Sequence, residues 1–375
     1  MFNIFNILAA ADKELVHSSM IKFLLENKHL NCFFPKLKQP LGEIGIEILG
    51  KVKEGEKPKL LRFDIVGYSK ETPKKIEFII ENKFKSTPTV DQLKLYDNFL
   101  NKTSQSALKY LMVFSNEQIP NDVKLHCVDN NWEIVEYFSF DENDTKSLVS
   151  TLENNTLENN KINIITNPKI KDFIDYYISY LSSYKDRLSP FINSTKYFSY
   201  NEIKEKLKTE HNDSADKENR FIGFQYLLYI QSEIYKKTIS RSPLKIESTN
   251  DGGKNNIPGI AFWFSNFKNE YHNIDSLFFG IDGDSFKIGV SYKRQNYQNA
   301  TKDVENIKTV LDLKKYSYLQ VQENKNKLKE IDNNKPAKIS SVFSLYSFKP
   351  IKDAEREQVT NDCASLINVF FKSIS

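Results

Sequence analysis

An aspartate, a glutamate and a lysine early in the chain have the types and spacing for hydrolytic chemistry on a phosphate. Asp64 sits inside the apolar run LLRFDIVGY (60–68), between Phe63 and Ile65. Glu81 and Lys83 close a second run, KIEFIIENK (75–83), with Asn82 between them. Strand side chains alternate faces, so Glu81 and Lys83 share one. The odd positions Glu77, Ile79, Glu81 and Lys83 form the charged face, and the even positions Ile76, Phe78, Ile80 and Asn82 the face expected to pack on helices. Aspartate is depleted in strands, and a buried carboxylate without a partner is costly. Two partners satisfy Asp64: Lys83, in an ion pair closing two strands, or a hard divalent cation shared with Glu81. In the second case Lys83 would position water and stabilise negative charge on a phosphate.

These residues need a rigid frame. Residues 1–30 read as a helix from the recurrence of Leu15, Met20, Phe23, Leu24 and Leu25. Strands follow at 44–52, 60–68 and 75–83, joined by the turn signals KEGEKP and SKETPK, which predicts an antiparallel meander. A helix is expected over 86–102, opened by Ser and Thr caps, then strands at 107–117 and 132–140. The order helix, three strands, helix, strand predicts an α/β core with a crossover helix.

The spacing of RFD (62–64) and ENK (81–83) resembles the PD-(D/E)xK nuclease superfamily. Two neighbouring segments strengthen the resemblance. DQLKLY (91–96) is similar to the Gln-x-x-x-Tyr element of one bacterial subgroup, and KELVHSSMIKFLL (13–25) to its N-terminal Glu-x-x-His-Ser helix. The likeness spans roughly residues 3 to 185, and Phe63 stands where the family motif has proline. It implies a restriction-endonuclease-like fold, a mixed central sheet flanked by helices, and a Mg²⁺- or Mn²⁺-dependent nuclease acting on DNA. It also implies Asp64, Glu81, the Asn82 carbonyl and Glu14 as metal ligands, Lys83 as the catalytic lysine, and Gln92 at the edge of the site. By family analogy alone, the role is bacterial phage defence or restriction. Each residue also has a plainer reading. Glu14 complements a helix dipole, His17 packs within its helix, and Gln92 with Tyr96 orients Glu81 and Lys83. The alternative function is a catalytically weak or inactive nuclease-fold module that binds or senses.

Composition narrows the classes. With 53 basic and 49 acidic residues the net charge is only +4, so nucleic-acid affinity must come from a local surface. Three scattered cysteines and no CxxC argue against a disulfide framework or structural zinc and for a reducing, cytoplasmic setting. No run approaches membrane-spanning length.

The expected division is 1–165 for the nuclease domain and 166–375 for an α+β region that binds substrate or partner. Residues 141–168, with the tandem TLENNTLENN (151–160), read as a linker and tolerant loop. Helices are expected at 169–188 and 221–237, with a polar loop at 209–220 between them. Strands are expected at GIAFWFSNF, SLFFGID, SFKIGVSYKR and SSVFSLYSF, a long polar helix near 299–335, and a terminal helix at 353–373. The tyrosines at 176, 177, 180 and 184 have the spacing of a helix core stripe. DGGKNN (251–256) has the composition of a phosphate loop without its pattern and reads as a turn. Lys293 and Arg294, interleaved with Tyr292 and Tyr297, suit substrate contact or a solvated strand end. A homodimer is expected if both strands of a duplex are cut.

Overall fold

The computed structural model describes residues 14–30, 33–37, 41–54, 57–72, 74–84, 86, 88–115, 119, 121–140, 146–156, 167–211, 216–238, 244–249, 259–265, 274–282, 285–293, 303, 306, 319–323, 340–350 and 353–372. The chain forms two compact units, Met1–Ser189 and Pro190–Ser375.

The first unit begins with helix α1 (Glu14–Glu26) and a hairpin of β1 (Ile44–Glu54) and β2 (Lys57–Tyr68). Then come β3 (Ile76–Lys83), α2 (Val90–Thr103), β4 (Leu108–Val113), α3 (Asn121–Asp129), β5 (Trp132–Glu136), α4 (Leu148–Thr156) and α5 (Pro168–Ile192). The sheet order is β1-β2-β3-β4-β5. β1, β2 and β3 pair antiparallel, as the short polar turns require, while β3-β4 and β4-β5 pair parallel. The unit is therefore mixed α/β, with α2 and α3 as the crossover connections that parallel neighbours need.

β3 is covered on both faces. Its even residues Phe78, Ile80 and Asn82 are buried, and Asn82 bonds to α1. Its odd residue Ile79 packs in a core with Leu93, Tyr96 and Leu100 of α2 and Val123 and Cys127 of α3. The odd face is thus no open charged surface, and Glu81 is 1% exposed. Close strand packing needs glycine at one point: a Cβ at Gly67 would lie 1.9 Å from the Phe78 ring, its cross-strand partner.

Several expectations change. Leu15 is exposed, and α1 instead buries His17, Ser18, Met20, Ile21, Leu24 and Leu25, a stripe at helical spacing that includes two polar residues. α3 was not read from the sequence. The stretch read as linker contains α4, anchored by Leu148 and Leu152, one helical turn apart and both fully buried. Residues 157–160 of the tandem repeat lie outside the described residues. Helix α5 runs through the first unit up to Ser189, and its Tyr177 hydroxyl meets His17 of α1.

The second unit contains α6 (Tyr200–His211), α7 (Asp216–Lys237) and α8 (Arg356–Lys372), with an antiparallel sheet of β6 (Leu244–Thr249), β7 (Gly259–Ser265), β8 (Ile274–Asp282), β9 (Ser285–Lys293), β10 (Leu319–Glu323) and β11 (Ser340–Pro350). Its order is β10-β11-β9-β8-β7-β6. Helices occupy both ends of the expected 209–220 loop, and β10 lies where a long helix was expected, its LQVQE paired along β11. DGGKNN lies outside the described residues.

Candidate active site

β2 and β3 bring Asp64 and Glu81 together. Their ladder runs to Ile65↔Ile80, which puts Asp64 and Glu81 next in register on one side of the sheet. There the Asp64 side chain replaces a ladder bond: its Oδ2 accepts the Asn82 amide at 2.8 Å. Opposite Asp64 on the other flank, between the pairs Ile46↔Ile65 and Ile48↔Phe63, Glu47 turns to φ 52°. This left-handed residue interrupts the hairpin beside the site, and its carboxylate lies 3.4 Å from Arg62.

Glu81 is gripped on one oxygen. Its Oε1 accepts from Lys83 Nζ at 2.6 Å and from Gln92 Nε2 at 2.6 Å. Gln92 reaches it because Thr89 caps α2, accepting the Gln92 amide, which fixes the first turn against β3. Gln92 also donates to the Tyr96 hydroxyl (2.9 Å), which donates to the Arg62 carbonyl (2.8 Å). The Phe63 ring stacks at 4.8 Å on Tyr96 and holds it. Glu81 Oε2, in contrast, is buried and has no hydrogen-bond partner.

The charges are strongly perturbed. Burial, the Glu81 charge and, more weakly, Glu14 raise the Asp64 carboxyl to about 7, against the pull of Lys83 and the Asn82 amide. Burial disfavours the Lys83 ammonium, but Glu81, Glu14 and Asp64 outweigh it and hold its pKa above the ordinary lysine value. Burial and Glu81 push the Tyr96 hydroxyl up, so it stays protonated as a donor.

Behind β3, α1 supports Asn82. Its amide Nδ2 donates to the Glu14 carbonyl (3.2 Å) and Ser18 Oγ (3.0 Å), and its Oδ1 accepts from Tyr137 (2.9 Å). Tyr137 is also hydrogen-bonded to Tyr177, whose hydroxyl meets His17 Nδ1 at 2.9 Å. His17 stacks on Phe84 at 3.8 Å. This fully satisfied network fixes the backbone that carries both the Asn82 amide and the neighbouring Glu81.

The expected residues thus divide. Asp64, Glu81, Lys83, Asn82 and Gln92 converge. Glu14 does not join them as a third carboxylate at one point: its Oε1 accepts from the Ser86 amide (3.0 Å) and hydroxyl (2.6 Å), and it acts on the site through its charge. Among the described residues, no group of three or more His, Cys, Asp or Glu side chains could hold a metal ion. The backbone of Lys293 ends β9 opposite Ser340, while its side chain and all of Arg294 lie outside the described residues. Ser18, Ser86, Tyr137 and Tyr177 were not read as site residues. Tyr177 was legible only as core, with Tyr180 and Tyr184; all three are buried, whereas Tyr176 is exposed.

The chemistry of these residues is that of hard oxygen donors, the type a divalent cation such as Mg²⁺ takes. Two carboxylates meet there, and one buried oxygen, Glu81 Oε2, is free to ligate.

No protein-family model and no curated protein matches the chain. A search of solved structures finds similarity to a crystal structure of a protein of unknown function, AF1548, at 10% identity and a TM-score of 0.23, covering 56% of this chain and 96% of that one. No helix among the described residues is long and apolar enough to cross a membrane.

Proposed function

We propose that the first unit is a restriction-endonuclease-like core of the PD-(D/E)xK type, and that the protein is a Mg²⁺- or Mn²⁺-dependent nuclease hydrolysing phosphodiester bonds in DNA. The observation that carries this reading is the unequal use of the Glu81 carboxylate. Two donors saturate Oε1 while Oε2 is buried without one, next in register to Asp64.

Asp64 and Glu81 would hold the ion, with the Asn82 carbonyl as the further ligand that the resemblance implies. When bound, such an ion supplies Lewis acidity to the scissile phosphate and acidity to the attacking water. The chain's own residues do the rest. Asp64 would have to be in its deprotonated form to ligate such an ion, so binding would release its proton to solvent. Gln92 and Lys83 hold Glu81 in one rotamer, so its open oxygen keeps a fixed direction. Lys83, kept charged by three carboxylates, has N–H donors left for a phosphate oxygen as charge builds in the transition state. Asn82, clamped from α1 and by Tyr137 just past β5, keeps the Asp64 carboxylate in place through its amide.

The test is incubation of plasmid and linear DNA with Mg²⁺ or Mn²⁺ for wild type, Asp64→Ala and Lys83→Ala. Cleavage by wild type alone is expected. Equal cleavage by all three, or none by wild type, overturns the proposal; in the second case a binding module on the same core takes its place.

A further inference from the structure

A recess lies in the first unit, beside the start of β3. It is a cleft of about 830 Å³ between the β1-β2 hairpin, the turn entering β3 and the last turn of α2. That volume is in the range of small-molecule sites, roughly 300–1,000 Å³. Its wall is apolar and aromatic: Ile48, Ile76 and the rings of Phe63 and Phe99, packed 5.2 Å apart. Gly50 lets those rings close over the hairpin, since a Cβ there would meet Phe63 at 2.8 Å and Phe99 at 3.1 Å. At the lip, Leu49 is 61% exposed.

The rim is charged. Lys70 and Lys74 both line it from the β2-β3 turn, and neither has an ion-pair partner among the described residues. Lys74 stands at φ 75°, a left-handed conformation rare for lysine, within a turn closed by bonds from the Ser69 amide to the Lys75 carbonyl and from the Lys75 amide to the Thr72 carbonyl. One carboxylate, Glu43, also lines the cleft, at the Tyr68 end, where it raises the Tyr68 hydroxyl pKa after burial. The rim therefore has two cations against one anion above an aromatic wall.

We propose that this cleft binds a small aromatic anion, its ring against Phe63 and Phe99 and its anionic group at Lys70 and Lys74. Aromatic rings favour ring ligands in offset or edge contact, and the two ammonium groups on the rim select the sign of charge. The proposal does not depend on the nuclease reading: Asp64, Glu81, Lys83 and Gln92 do not line the cleft, and Phe63, which does, touches that site only through Tyr96.

The test uses two probes of one shape and opposite charge, naphthalene-2-sulfonate and naphthalen-2-ylmethylammonium, titrated calorimetrically into the full chain. The sulfonate is expected to bind at least about tenfold more tightly, the scale of one desolvated charge contact. Lys70→Glu with Lys74→Glu, both exposed positions, should reverse the preference. Thr103→Trp, which fills the cleft from its exposed rim, should abolish binding of both, while Asp64→Ala should leave it unchanged. Equal affinity for the two probes, no binding of either, an unaltered preference in the Lys70/Lys74 variant, or binding that survives Thr103→Trp would overturn the assignment.

Discussion

Two buried carboxylates in the first unit each face a lysine, yet they are finished differently. Asp97, on α2, is satisfied on both oxygens: Oδ1 accepts from Lys109 Nζ (2.7 Å) and Trp132 Nε1 (3.0 Å), and Oδ2 contacts His126 Nε2 (2.8 Å). Glu81, on β3, is satisfied on one oxygen only, and its neighbour Asp64 is pushed up to about 7. The first arrangement ties α2 to β4, α3 and β5. The second leaves one buried acceptor without a donor beside a carboxyl whose pKa is raised by burial and by Glu81. The complete shell around Asp97 suits a structural role, and the open oxygen of Glu81 is the feature on which the proposed metal site rests.

The difference can be broken at either end. Asp64→Ala should remove metal-dependent cleavage by about 10³-fold or more, measured as initial rate, with the fold intact by circular dichroism. Asp97→Ala should do the reverse. It leaves Lys109 buried without its partner and should cost about 3 kcal/mol in denaturant unfolding, while the cleavage rate per folded molecule stays unchanged.

The pH dependence has a definite sign. The folded Asp64 carboxyl titrates near 7 against an ordinary value of 3.8, so the folded chain holds this proton more tightly. With chelator present, stability should rise as pH falls from above 7 toward 4 and gain nothing more below that. The full shift corresponds to about 4 kcal/mol at most, and water reaching the half-buried carboxylate reduces it to about 2 kcal/mol. Asp64→Asn should flatten that segment of the curve and stabilise the metal-free protein at pH 8 by about 2 kcal/mol. The smallest effect should come from Tyr96→Phe, which frees the Arg62 carbonyl and loosens Gln92. It should cost about 1 kcal/mol of stability and lower the cleavage rate several-fold with KM unchanged.

Much of this site could be read from strand parity. Glu81 and Lys83 do share a face, and the hairpin register delivers Asp64 to them. Parity failed for solvent exposure, because the crossovers α2 and α3 cover the face that carries the charges. α3 itself was illegible: its inward residues are Val123 and Cys127, but Leu125 and Val128 point outward and blur the helical period. β10 is only five residues long and is defined by its pairing with the following strand β11. The support of Asn82 by Tyr137, and the contact of His17 with Tyr177, 160 residues away, are long-range pairings that no local pattern encodes.

In the proposed site the open Glu81 oxygen and Asp64 would hold a divalent cation, whereas the closed Asp97 cluster would not. Calorimetric titration of Mn²⁺ into the full chain at pH 8 tests it directly, with Asp64→Ala and Asp97→Ala as the two arms. Saturable binding by wild type and by Asp97→Ala, lost in Asp64→Ala, is the predicted result. Binding that survives Asp64→Ala, or a wild-type protein that takes up no Mn²⁺, would contradict it.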